Sequence, residues 1–178
     1  MPLNDSEIRK LLDNGLIINP NYDLINPASL DIRIGNEILI ENPQVNQDIP
    51  NINPWSELNI ESYTEYLPFY LNPGQFILAS SMEIFNIPNN ICAEFRLKSS
   101  RARQGYDHLF AVWIDPGWSN SVLTMEIKNV FQNHRIPIYP GLKIGQLVFH
   151  KLNEPKISYS EVGRYNNDLK VSGSKNEY

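Results

Sequence analysis

Cysteine is nearly absent: Cys92 is the one thiol in 178 residues. A lone cysteine closes no internal disulfide and cannot build a multi-cysteine zinc site. The three histidines, His108, His134 and His150, are far apart and show neither H-x-E nor H-E-x-x-H spacing. Zinc chemistry is therefore not expected. A Walker loop and a G-x-G-x-x-G turn are both missing. No apolar run approaches the roughly 20 residues of a membrane span. Basic residues are the minority, 15 Lys and Arg against 20 Asp and Glu for a net charge of −5, which argues against bulk nucleic-acid binding. The opening Met1–Glu7 stretch is polar and acidic, unlike a signal or transit peptide. The expectation is a cytoplasmic protein without nucleic-acid or membrane partners. Its length suits a single domain, 1–178, with a core that needs no disulfide or structural metal.

What is present is period-two patterning. One short helix comes first: Asn4 is a candidate cap with Glu7 three residues on, Ile8, Leu11 and Leu12 share a face, and Gly15 is placed to end it. Ser29–Ile34 then alternates as a half-buried strand does. Further strand-like runs are Phe69–Leu71, Gln75–Phe85, Ile91–Leu97, Val122–Lys128, Ile136–Tyr139 and Ile144–Leu152. Asn72-Pro73-Gly74, Pro88-Asn89-Asn90, Asp115-Pro116-Gly117 and Tyr139-Pro140-Gly141 read as turns between them. Many short strands with such punctuation predict an all-β sandwich or barrel. Glu41–Glu65, rich in Asn, Pro and Ser, reads as a long surface loop, and 158–178 as a mobile polar tail.

Three segments carry candidate chemistry. Arg96–Arg103 places four cations and two hydroxyls in eight residues. These groups suit a polyphosphate, and they equally suit a solvated basic turn. Trp113-Ile114-Asp115-Pro116-Gly117-Trp118 sets two indoles beside a Pro-Gly turn, either to stack on a base or to plug the end of the core. In Val122–Lys128, Leu123, Met125 and Ile127 face one side, and Val122, Thr124, Glu126 and Lys128 the other. Glu126 is then either a general base tuned by burial and a nearby arginine or half of an ordinary Glu/Lys pair.

The order of these segments resembles the dCTP deaminase family of the trimeric dUTPase-like superfamily. The resemblance runs through Asn26-Pro27-Ala28-Ser29-Leu30-Asp31-Ile32-Arg33-Ile34-Gly35, Leu71–Leu78, Lys98-Ser99-Ser100-Arg101-Ala102-Arg103, Ile114–Ser119, Met125-Glu126-Ile127 and Tyr139–Leu147. K-S-S-x-x-R, I-D-P-G-[WF] and P-G-x-x-I-G-Q in that order are a specific combination. The resemblance implies a distorted jelly-roll or β-barrel subunit with a short N-terminal helix, assembled as a homotrimer with sites between subunits.

It also implies deamination of dCTP to dUTP and ammonia by a glutamate-activated water, without zinc. Glu126 matches the proton shuttle, and Arg103 the arginine that orients it and keeps it ionised. Lys98, Ser99 and Ser100, with Arg101 and Ala102 in the same run, match the phosphate binders, with Mg2+ carried by the triphosphate. Asp115 matches the residue near the 3′-hydroxyl, Thr124 and Met125 frame the base, and Gln146 contacts the nucleotide. In a tail that closes over the phosphates, Tyr159 and Arg164 match the family's tyrosine and lysine. Asp168 stands where the family has a glutamine, so a carboxylate meets the triphosphate unless Arg164 or Mg2+ compensates. Phe110-Ala111-Val112-Trp113 replaces T-A-H or T-A-G, and the spacings on either side of the I-D-P-G motif each differ by one residue. The alternatives are a dUMP-forming bifunctional enzyme or dUTPase, in which Asp115 assists attack on the α-phosphate, and a non-catalytic nucleotide-binding trimer.

Overall fold

A computed structural model describes residues 1–41, 62–111 and 113–175. The N-terminal helix α1 spans Asp5–Asp13. Asn4 caps it through a complete capping box: its side chain accepts from the Glu7 amide at 3.0 Å, and Glu7 accepts from the Asn4 amide at 3.1 Å. Gly15, at φ +87°, reverses the chain, and the Gly15 and Leu16 amides satisfy the Leu12 and Leu11 carbonyls. Ile8 and Leu12 are buried and Leu11 packs beside them.

The rest is mostly β. A 3₁₀ turn at Tyr22–Leu24 leads into β1 (Ile25–Asn26), β2 (Ser29–Glu41), β3 (Ser62–Tyr66), β4 (Phe69–Leu71), β5 (Phe76–Asn86) and β6 (Ile91–Leu97). One-turn helix α2 (Ser99–Ala102) precedes β7 (Tyr106–His108), β8 (Trp113–Ile114), β9 (Ser119–Asn129), β10 (Ile136–Ile138) and β11 (Lys143–Lys151), and one-turn helix α3 (Tyr159–Val162) opens the tail. Seven strands run in the order β7-β9-β5-β2-β11-β6-β8, all antiparallel, with β1 and β3 also on β2, and the sheet curls into a half-barrel. This is the expected all-β architecture with a short N-terminal helix. Among the described residues no helix is long and apolar enough to cross a membrane.

Strand β2 belongs to both layers. Leu30–Arg33 pairs with β11, and Ile34–Glu41 turns onto β5 and β3 through a register shift between Ile34 and Ile38. Gly35 sits at that bend, where a Cβ would lie 2.6 Å from Ser80 Oγ. The core between the layers includes Ile32, Ile34, Ile38, Ile77, Phe85, Ile127, Ile144, Leu147 and Phe149, each fully buried. A side chain of that kind contributes about 1.5–3 kcal/mol. Cys92 is buried on β6, where burial raises its thiol pKa.

Two sequence expectations change here. The Ser29–Ile34 strand is buried on both faces rather than half-buried, because its polar residues are paired: Asp31 is 4% exposed beside Lys98, and Arg33 binds the buried Glu83 carboxylate at 2.7 Å. The expected loop Glu41–Glu65 begins and ends in strand, since Glu37–Glu41 pairs with Ser62–Tyr66; its centre, 42–61, lies outside the described residues. The short strands β1, β7 and β8 and the two one-turn helices are additions that local pattern did not predict.

Candidate active site

Strand β9 supplies the centre of the site. Its alternation holds: Met125 and Ile127 point into the core, while Thr124 and Glu126 face the opposite side. That side opens on a cavity of about 500 Å3. Its floor is apolar, from Leu39 on β2, Phe76 and Leu78 on β5, and Val122 and Leu123 on β9. Leu123, expected on the core face, is only partly buried and lines this cavity, next to the register shift between β5 and β9. One wall is the β8 turn, with Ala111, Trp113, Ile114, Asp115 and Trp118. The other is the tail, with Tyr159, Tyr165, Asp168 and 172–174.

Glu126 is half-buried, and burial raises its pKa above the ordinary carboxylate value, opposed only in part by its backbone hydrogen bond. A carboxyl so placed holds a proton more readily than a solvated one does. Asp115 is fixed from the side: the Trp113 indole N–H donates to its Oδ1 at 2.9 Å. The turn that carries it is locked behind. Gly117, at φ +87°, donates to the Ile87 carbonyl, and a Cβ there would lie 2.0 Å from Ser158 Oγ. Ser158 itself donates to Asn89 and caps α3. The first tail residues are thereby seated against the turn, with the Tyr159 amide on the Pro116 carbonyl at 3.0 Å. Burial raises the Tyr159 phenol pKa as well.

The tail then follows β9. Trp118 Nε1 donates to the Tyr165 carbonyl at 2.8 Å, the Ser119 amide to Asn166 Oδ1 at 2.9 Å, and the Val122 amide to the Asp168 carbonyl at 2.8 Å. Asp168 is neutralised, though not by Arg164: Lys175 Nζ lies 2.7 and 2.6 Å from its two oxygens. Arg164 instead packs on the Tyr165 ring and donates to the Lys175 carbonyl.

Of the residues singled out from sequence, Glu126, Thr124, Asp115, Tyr159 and Asp168 therefore meet in one cavity. Met125 does not. It is 2% exposed in the core, as it must be when its neighbours face the cavity. The K-S-S-x-x-R residues also lie off this cavity. Lys98 Nζ contacts Asp31 Oδ1 at 2.5 Å, within a cluster that includes Asn26 and Lys143. Gln146, opposite Asp31 on β11, accepts from Ser29 at 2.9 Å. Arg101 donates to the Lys143 carbonyl and to Gln104. Ser99, Ser100, Ala102 and Arg103 are exposed on and beside α2. Arg103 is not among the cavity residues, so within one chain it does not orient Glu126.

Sequence reasoning missed Leu39, Phe76, Leu78, Tyr165 and the 172–174 wall. A signal for the first three existed: Phe76-Ile77-Leu78 and Ile38-Leu39-Ile40 are apolar on both faces, which marks strands covered on both sides. Phe110 is 75% exposed at φ +60° and does not line the cavity, although its neighbour Ala111 does. Val112 lies outside the described residues.

Charge on the cavity is lopsided. Glu41, Asp115, Glu126 and Asp168 line it, and among the described lining residues there is no Lys, Arg or His.

A family model described as dCTP deaminase-like matches residues 2–152. The chain belongs to the dCTP deaminase-like family. Two relatives named dCTP deaminase, dUMP-forming, come from Nanoarchaeum equitans (39% identical, covering 92% of this chain and 90% of the relative) and Corynebacterium efficiens (37%, 87% and 81%). Among solved structures this dCTP deaminase-like chain is similar to the 2'-deoxycytidine 5'-triphosphate deaminase of Agrobacterium tumefaciens (TM-score 0.65, 20% identity, 85% of this chain and 48% of that one). It is also similar to a dUTPase of phage phi11 of S. aureus (TM-score 0.50, 14% identity, 80% and 89%). At such identities these two likenesses establish the fold. The deaminase-like chain thus spans about half of the Agrobacterium protein and most of the relatives with which it shares over 30% identity.

Proposed function

We propose that this protein is a dUMP-forming dCTP deaminase: dCTP and two waters give dUMP, ammonia and pyrophosphate. The observation that carries the reading is that Glu126 and Asp115 line a single cavity, which supports assigning one carboxylate to each half of the reaction. In the family the chain resembles, a glutamate activates water for attack at C4 of cytosine. Burial of Glu126 favours its taking and returning that proton. Asp115, held by Trp113, leaves its second oxygen for a water directed at the α-phosphate. The relatives named dUMP-forming favour this product over dUTP, the first expectation from sequence.

Four carboxylates, one of them paired with Lys175, and no Lys, Arg or His among the described lining residues form a poor solitary site for a triphosphate. This supports a composite site in a homotrimer, in which the exposed Ser99, Ser100 and Arg103 of a neighbouring copy meet the phosphates and Glu126. Mg2+ fits as a companion of the triphosphate. It keeps several water and phosphate ligands, and among the described residues no three His, Cys, Asp or Glu side chains converge on a point.

The test is product analysis with dCTP or dUTP and Mg2+, reading ammonia, pyrophosphate, dUTP and dUMP separately. Expected are dUMP, pyrophosphate and ammonia from dCTP, with ammonia lost in Glu126→Gln. Mixing inactive Glu126→Gln and Arg103→Ala chains should restore turnover, because one site in a mixed trimer keeps both native residues. Accumulation of dUTP alone would return the protein to plain deamination, and no turnover of any nucleotide would refute the proposal.

A further inference from the structure

Beyond Asp168 the chain leaves β9 and returns. Among the described residues, no backbone hydrogen bond ties 169–174 to the strands, yet Ser172, Gly173 and Ser174 form part of the cavity wall. Lys175 closes this loop with several contacts at once. Its ammonium reaches both Asp168 oxygens and the Arg164 carbonyl at 3.0 Å, and it lies 5.2 Å from the centre of the Tyr165 ring. Its amide donates to the Tyr165 hydroxyl at 3.1 Å. Lone surface ion pairs contribute little. This one shares a cation among a carboxylate, a carbonyl and a ring, and its carboxylate stands on the wall of a cavity that holds three more.

We propose that Lys175 is a positioning residue for the nucleotide site. It masks the Asp168 charge that would otherwise face the phosphates, and it holds Ser172–Ser174 in place as a wall. The proposal rests on the dCTP reading for its ligand and deepens it. In the family's pattern a neutral glutamine occupies the Asp168 position; here Asp168 and Lys175 together present a neutral unit.

The test uses the full-length chain with Lys175→Met, Lys175→Arg and the double variant Asp168→Asn/Lys175→Met. Lys175→Met should raise KM for dCTP about ten-fold, the scale of one charge-assisted contact, with kcat within about two-fold. Lys175→Arg should stay near the wild-type KM. The double variant should recover most of the loss, because no bare carboxylate remains. A double variant as impaired as Lys175→Met would overturn the masking role, and so would a wild-type KM in Lys175→Met.

The wall is tested without nucleotide. Tryptic cleavage after the exposed Lys170 should be several-fold faster in Lys175→Met than in wild type, and equal rates would overturn that role. If the wild-type protein turns over no nucleotide, the dCTP reading fails, while the cleavage result still decides whether Lys175 holds the loop.

Discussion

Replacing Asp31 by Asn should cost the fold about 2 kcal/mol at neutral pH. Asp31 is 4% exposed, and its carboxylate accepts from Lys98 at 2.5 Å and Asn26 at 2.8 Å, with Lys143 at 3.3 Å. Breaking an enclosed ion pair from one side costs about 3–5 kcal/mol. The lysine side chains here are 25% and 44% exposed, so both recover some hydration, which brings the cost to about 2 kcal/mol. With a urea m-value near 2 kcal/mol/M, the midpoint falls by about 1 M, with m unchanged. Tm falls by about 4–8 °C for a chain of this size.

The pH dependence makes the test specific. Burial alone would raise the Asp31 pKa, but hydrogen bonds from Lys98 and Asn26, the Lys98 charge and the Lys143 contact outweigh it, and the net direction is down. A depressed carboxylate contributes its full stability above its unfolded pKa, near 3.9, and loses it as pH falls through the folded value. The wild-type and Asp31→Asn curves, taken at one protein concentration, should therefore stand apart at pH 7 and converge below about pH 4. A difference under about 0.5 kcal/mol at pH 7, where neutral surface changes fall, would refute the reasoning. So would a gap unchanged in acid.

Glu126→Gln should remove ammonia release and yet stabilise the protein at alkaline pH. A raised carboxyl pKa means the folded state resists ionisation, so wild type loses stability as pH climbs from the ordinary carboxylate range through the raised value. Melting curves should show the variant above wild type at pH 8 and level with it at pH 4. Gly117→Ala should cost more than about 1 kcal/mol in urea unfolding, from the φ of +87° and the Ser158 contact together; an unchanged midpoint would mean that the turn and tail are not packed as described. Asn129→Ala should cost about 2–4 kcal/mol by the same assay, because this fully buried amide donates to the Leu71 and His134 carbonyls and accepts from the Phe131 amide, leaving three groups unpaired when it is lost.

Much of this was legible along the chain. The Asn4/Glu7 box and Gly15 bracket α1 because caps are local chemistry. The long strands follow from alternation, and alternation alone places Glu126 and Thr124 opposite Met125. Not every short strand was legible: Phe69–Leu71 and Ile136–Ile138 were, but Tyr106–His108 and Trp113–Ile114 are strands only because β9 and β6 offer them hydrogen bonds. The cavity was half visible. Its polar residues lie in recognisable motifs, but its floor joins residues 39, 76, 78 and 123, and its outer wall comes from a tail whose composition reads as polar linker. The fate of Asp168 could not be read from local sequence, since its partner lies seven residues away across a turn.

Strand β2 has a consequence for how the molecule comes apart. Because one continuous strand serves both layers, the Ile34 amide is bonded to the Leu142 carbonyl while Ile34 also stands opposite Ser81 of β5, and Ile38–Ile40 beyond it pair with β5. Neither layer can open without fraying the other. Amide hydrogen exchange along β2 should then report one cooperative unit at the global unfolding free energy rather than two with separate values. A chain cut inside β2 should fail to reassemble from its fragments, since each would carry half of a seam that only the uncut strand completes.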